Sequence, residues 1–166
     1  MTFPPLRVAA VLACAIAGCA GARVPAEEAI AGLSLRSLDG GRTQLTEQRG
    51  RVVLLDFWAT WCQPCRVALP FYRALDAELR SRGLSVLAVS VDKGDAEVRD
   101  FLRAEPLPFP VLRDPDGAAA EGLGVSLMPT SFLLDRAGRA RFRREGFRAE
   151  DGPALRAQIL QLLAEP

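Results

Sequence analysis

Two cysteines three positions apart, Cys62 and Cys65, close the stretch Asp56-Phe57-Trp58-Ala59-Thr60-Trp61-Cys62-Gln63-Pro64-Cys65. The run Arg51 to Phe57, with Val52, Val53, Leu54 and Leu55 in succession, leads into them and reads as a strand buried on both faces. Beyond Cys62 the apolar positions Val67, Leu69, Phe71, Leu75 and Leu79 recur mostly at helical spacing, and Gly83 supplies a stop. The pair therefore falls where a strand hands over to a helix, a geometry suited to a reversible disulfide across the first helical turn. Unpaired N–H groups and the helix dipole at that end favour a thiolate on Cys62, which becomes the attacking sulfur. Cys65, one turn deeper, is expected to stay protonated until it breaks a mixed disulfide between Cys62 and a partner. Two blander readings compete: a buried free-thiol pair, or half of a zinc site. Zinc would need two further ligands, and the other cysteines, Cys14 and Cys19, lie in the N-terminal segment.

Composition narrows the chemistry further. The chain has no histidine, which removes Cys-His and Ser-His nucleophile pairs, histidine-bearing zinc sites and His-ligated copper or haem. Neither a metal nor a cofactor is expected. With 21 basic and 20 acidic residues there is no long-range field to attract nucleic acid.

The N-terminus reads as an export address. Met1 to Arg7 carries one positive charge, and Val8 to Gly18 is an unbroken run of apolar and small residues too short for a comfortable membrane span. Ile16-Ala17-Gly18-Cys19 resembles a bacterial lipobox, although leucine is commoner where Ile16 stands and Cys14 offers a second, poorer cut site. That resemblance implies cleavage before Cys19 and attachment of lipid to its sulfur, with several acyl chains giving a stable anchor. Ordinary secretion after a small-residue site near Ala20 or Ala22 is the alternative. The chain then divides into a signal peptide at 1–18, a tether at 19–32 and one compact domain at 33–166.

The elements that must hold the cysteine pair can be read along this domain. Leu33 to Leu38 and Arg42 to Leu45 flank Asp39-Gly40-Gly41 as a short hairpin. Leu84 to Val91 is a second buried strand, and Asp95 to Ala104 a helix with Asp95 as N-cap, halted by Pro106 to Pro110. Ser131 to Leu134 and Ala140 to Arg144 form an antiparallel hairpin around Gly138, and Pro153 opens a closing helix with Leu155, Ile159, Leu162 and Leu163 inward. The sum is an α/β sandwich, a central mixed β-sheet flanked by helices, with an N-terminal hairpin extension.

From about Leu33 to Leu163 the chain resembles the thioredoxin superfamily, and within it the exported TlpA/ResA-type proteins. Three pieces carry the resemblance in the family's order: Asp56 to Cys65, Val89-Ser90-Val91-Asp92-Lys93, and Met128-Pro129-Thr130 running into Ser131-Phe132-Leu133-Leu134-Asp135. The resemblance implies a thioredoxin-like fold and a cis-proline at Pro129 beside the disulfide. Met128, Pro129 and Thr130, together with Trp61, would then form the substrate surface, with the Met128 backbone offered to an extended chain. Trp58 is assigned to the core, and Gln63 and Pro64 to tuning of the potential. Asp56 stands where thioredoxin has aspartate and many TlpA/ResA-type proteins have asparagine. Desolvated behind the cysteines, it would take the Cys65 proton; a purely structural, hydrogen-bonded aspartate is the competing reading.

The resemblance implies reduction of disulfides in exported proteins, including apocytochrome c thiols before haem attachment, with electrons from a membrane-embedded thiol donor and the protein held to membrane lipid through Cys19. Without a histidine between the cysteines, the balance leans towards a reductant. A thiol peroxidase and a non-catalytic binding or metal-carrier lipoprotein are the alternatives. Arg136, Arg139, Arg141, Arg143, Arg144 and Arg148 form a basic cluster, either solvated or facing lipid headgroups or an acidic partner.

Overall fold

The computed structural model describes residues 26–166, so the signal peptide at 1–18 and the lipidation of Cys19 lie outside the described residues. The helices are α1 (Ala26–Ala31), α2 (Gln63–Leu79), α3 (Asp95–Ala104), α4 (Ala118–Gly122) and α5 (Gly152–Ala164). The strands are β1 (Ser34–Ser37), β2 (Arg42–Gln44), β3 (Val52–Trp58), β4 (Leu84–Ser90), β5 (Val111–Arg113), β6 (Thr130–Leu134) and β7 (Ala140–Glu145). They form one mixed sheet in the order β2-β1-β5-β4-β3-β6-β7.

β3 lies inside this sheet, parallel to β4 and antiparallel to β6. A strand paired on both edges and covered on both faces has no use for polar alternation, so all of it is apolar except Asp56. Val52, Leu54 and Trp58 pack on one face with the inner residues of α2, α3 and α5, while Val53, Leu55 and Phe57 pack on the other with Ile30 and Leu123. Asp56 shares the row of Leu54 and Trp58 and therefore faces α2.

α2 begins one residue after Cys62 and runs through Pro70; a short 3-10 turn then leads to Gly83 at φ 106°, the anticipated stop. Its buried face carries Cys65, Ala68, Leu69, Tyr72, Leu75 and Leu79, whereas Val67 turns outward at 48% exposure. Val67 is thus not an inward position.

Other expectations also shift. The N-cap of α3 is Gly94 rather than Asp95, because the Asp95 carboxylate is drawn away by two guanidinium groups, those of Arg36 and Arg113. β5 and α4 were not legible: β5 is three residues between Pro110 and Asp114, and α4 is a single turn or so of alanine-rich chain. The hairpin joins the sheet through β5, with Arg36 opposite Arg113. α1 lies in the stretch read as tether, yet Ile30 is fully packed against the second face of the sheet. Among the described residues no helix is long and apolar enough to cross a membrane.

If α1 belongs to the folded unit, truncating Ile30 leaves a cavity. Ile30→Ala is expected to lower unfolding stability by about 2–5 kcal/mol, read as a reduced urea midpoint at unchanged slope. A midpoint equal to the parent protein's would assign α1 to the tether.

Candidate active site

Cys62 is the N-cap of α2, in extended backbone, and its sulfur accepts the Cys65 N–H at 3.2 Å. That sulfur is joined to Cys65 in a disulfide. Pro64 sits in the first helical turn, where a missing N–H costs nothing. Cys62 is 4% exposed and Cys65 fully buried, so any partner reaches the pair from the Cys62 side. Next to it Trp61 is 66% exposed, while Trp58 is buried against Phe101 in the core.

The Met128–Pro129 peptide bond is cis. Leu127, Met128, Pro64, Gly146, Phe147 and Arg148 line one groove of about 560 Å³. The end of β7 and the turn after it supply most of its lining, with Leu127 and Met128 from the cis-proline loop and Pro64 from the start of α2. Among the described residues the Met128 backbone makes no hydrogen bond, whereas the Pro129 carbonyl accepts the Gly146 N–H at 2.7 Å. Thr130 departs from its assignment: it is buried, and its hydroxyl donates to the Leu127 carbonyl at 2.6 Å. A side chain spent in that way braces the loop.

The turn before Cys62 is held from behind. The Asp92 carboxylate accepts both the Thr60 N–H (3.0 Å) and the Thr60 hydroxyl (2.7 Å), and also the Ser90 hydroxyl (2.8 Å). Arg113, with its side chain fully buried, donates to the Ser90 hydroxyl (2.5 Å), the Asp92 carbonyl (2.8 Å) and the Asp95 carboxylate (2.8 Å). Arg36 closes the set on Asp95, whose carboxyl these two cations hold well below the usual range. Asp92 and Ser90 lie in a stretch quoted for its resemblance, but no role could be read for them, and Arg113 carried no sequence signal at all.

Asp56 is fully buried, and its Oδ1 accepts a hydrogen bond from the Tyr72 hydroxyl at 3.1 Å. Its Oδ2 has no partner among the described residues. Burial drives the Asp56 carboxyl well above its ordinary range, and the Tyr72 hydrogen bond opposes this only in part. The Tyr72 phenol is also pushed up, by burial first and then by the neighbouring Asp56 charge. Tyr72 was missed because in the sequence it falls among core positions of an amphipathic helix.

The basic cluster is met from within. Arg139 and Arg141 pair with Asp135, Arg141 also with Glu165, Arg143 with Glu145, and Arg148 with Glu150. Arg136 donates to backbone carbonyls at Gly50 and Leu163. Arg139, Arg141, Arg143 and Arg148 thus have acidic neighbours, in pairs open enough to solvent to contribute little to stability.

Residues 26–143 match the model of the AhpC/TSA family. The chain belongs to that family. Among AhpC/TSA-like relatives, the thiol-disulfide oxidoreductase ResA of Bacillus thuringiensis subsp. konkukian is 35% identical over 102 residues, 61% of this chain and 59% of that one. ResA of Bacillus subtilis is 32% identical over 105 residues, 63% and 59% of the two chains, and the thioredoxin-like protein YneN of the same organism 40% over 108, 63% and 62%. The matched segment thus spans about three fifths of the ResA chains. A solved structure from Chlorobium tepidum, assigned as the thiol:disulfide interchange protein DsbE, superposes with a TM-score of 0.77 at 39% identity, covering 80% of this chain and 93% of that one. The sheet flanked by helices is the thioredoxin-like fold.

Burial of Asp56 has a measurable cost. Its carboxyl is raised above the unfolded value of about 3.9, so the native state binds the extra proton and stability falls as pH rises between the two values. Asp56→Asn is expected to raise the unfolding free energy at neutral pH, with the gain shrinking to nothing below about pH 4. Urea titrations of both proteins across this range check it; a gain independent of pH would contradict a raised carboxyl.

Proposed function

We propose that this protein is a membrane-anchored thiol-disulfide oxidoreductase that reduces disulfides of exported proteins through Cys62 and Cys65. The observation that carries this reading is the disulfide between an N-cap cysteine and the cysteine one turn inward, with Pro64 between them lining a groove that Met128 of the cis peptide bond also lines. Exposed Trp61, next to Cys62 in the chain, and exposed Leu127, which lines that groove, offer apolar surface for a protein partner. Relatives named thiol-disulfide oxidoreductases support the same chemistry.

In the reduced protein the Cys62 thiolate, favoured by the N–H groups of α2, attacks one sulfur of the partner's disulfide, and the other sulfur leaves with the electron pair. Cys65 then loses its proton to ionised Asp56 and attacks the Cys62 sulfur. The partner's second sulfur departs as a thiolate and takes up a proton from solvent. Two electrons have passed to the partner, and the product is the Cys62–Cys65 disulfide found here. A membrane thiol donor returns the electrons. The missing histidine between the cysteines supports the reductive direction, and apocytochrome c is a fitting partner among exported disulfides. The export pattern ending at Cys19 supports a lipid anchor on the periplasmic side.

Insulin-disulfide reduction is expected with the wild-type protein and to be lost in either cysteine variant. In cells, Cys65→Ser is expected to accumulate reductant-sensitive covalent complexes with exported proteins, and Cys62→Ser few. Non-reducing gels with mass spectrometry read both; heavy trapping by Cys62→Ser alone would reverse the roles. Apocytochrome c among the bands supports the haem-maturation role, and its absence from a broad mixture supports general reduction. A second measurement addresses the anchor: Cys19→Ser is expected to move the protein out of the membrane fraction and remove the lipid mass. An unchanged fraction and mass would refute lipidation at Cys19.

A further inference from the structure

A fully buried acid that must take up a proton in each cycle depends on whatever else touches it. In the described residues the only hydrogen-bond donor to the Asp56 carboxylate is the Tyr72 hydroxyl. Seven residues separate Tyr72 from Cys65, which places both on the buried face of α2 two turns apart. Side chains on a helix lean towards its N-terminus, so the Tyr72 side chain leans towards the cysteine end of α2 and meets Asp56 there on β3. Phe147 meets its ring edge-on at 5.8 Å, which holds the ring independently of the hydroxyl.

The surroundings leave few other groups to act on Asp56. Its cross-strand neighbour on β6 is Ser131, and opposite Ser131 on β7 stands Arg144, so Asp56, Ser131 and Arg144 make one row across three strands. Ser131 and Arg144 act on the Tyr72 hydroxyl in the sense opposite to Asp56, favouring its ionised form. Arg144 is itself held by Asp151 and Gln158 at the surface. On β4 the neighbour is Ala88, and α5 presents Leu155 and Ile159, all uncharged. Asp76, one turn beyond Tyr72 on α2, is paired with Arg80.

We propose that Tyr72 is a positioning residue for Asp56: its hydroxyl holds Oδ1, leaves Oδ2 as the atom that takes the Cys65 proton, and sets the pH range in which that transfer works. This rests on the oxidoreductase reading for its consequence in turnover, but its effect on Asp56 does not. A hydrogen bond donated to a carboxylate favours the ionised form, so its removal makes Asp56 a weaker acid and moves the acid limb of mixed-disulfide resolution towards higher pH.

Tyr72→Phe deletes the hydroxyl and keeps the ring. Carbon-13 carboxyl NMR of aspartate-labelled, reduced protein reads the Asp56 titration directly, with Asp56→Asn identifying its signal. The Tyr72→Phe midpoint is expected to lie at higher pH than wild type, and resolution on the acid side to be about tenfold slower, recovering as pH rises. Tyr72 is the chain's single tyrosine, so biosynthetic replacement by 3-fluorotyrosine changes that hydroxyl alone. The fluorinated phenol is a stronger donor, and the Asp56 midpoint is expected to move the opposite way, to lower pH. Should Tyr72→Phe fail to fold, this second replacement decides the matter. Coincident midpoints in wild-type and altered proteins would overturn the proposal. Shifted midpoints with no insulin reduction in any protein would instead sink the oxidoreductase reading and leave the Tyr72–Asp56 coupling standing.

Discussion

One carboxylate fixes the turn on which Cys62 depends. Asp92 binds both the backbone N–H and the hydroxyl of Thr60, two residues before Cys62. A loop held by a single neutral hydrogen bond would sample other paths, because each such bond contributes only about 1 kcal/mol net. Here a charged acceptor takes two donors from the same residue, and buried Arg113 answers its charge through Ser90 and the Asp92 carbonyl. Removing the Asp92 carboxylate would leave the Thr60 N–H and hydroxyl without this acceptor. The active-site turn is therefore tied to β4, β5 and, through Asp95 and Arg36, to β1.

This dependence explains which parts were legible in the sequence. β3, β4, α2, α3 and the β6–β7 hairpin follow from local periodicity and turn residues; all but α2, whose last three expected residues form a 3-10 turn, appear within a residue or two of their expected bounds. Cys62 and Cys65 announce themselves by spacing, and Pro129 by its place in a recognisable stretch. The parts that escaped are those whose meaning is made by tertiary contact. Arg113 in a three-residue strand and Tyr72 on an amphipathic helix look like surface charge and core filler until the sheet brings Asp95 to one and Asp56 to the other. The same holds for Thr130: only the fold shows its hydroxyl turned inward to the Leu127 carbonyl.

Asp56 and Asp92 are two buried carboxylates put to opposite uses. Asp92 is saturated with donors and is structural; Asp56 receives a single hydrogen bond and keeps one oxygen unpartnered among the described residues. In the mechanism proposed above the under-satisfied one is the acid that exchanges a proton, and its burial comes at the expense of stability. Such local conflicts between folding and chemistry are expected where a protein works.

The order β2-β1-β5-β4-β3-β6-β7 leaves two open margins, and neither makes a good template for another chain. β2 has only three residues, while β7 alternates Arg141, Arg143 and Glu145 on its exposed side and is offset by an irregularity opposite Leu133 and Leu134. Short length, charge and a break in register are the devices that stop sheets from zipping edge to edge. Trp61 and Leu127 can therefore stand exposed on the surface while both margins of the sheet stay closed to the backbone of a second chain.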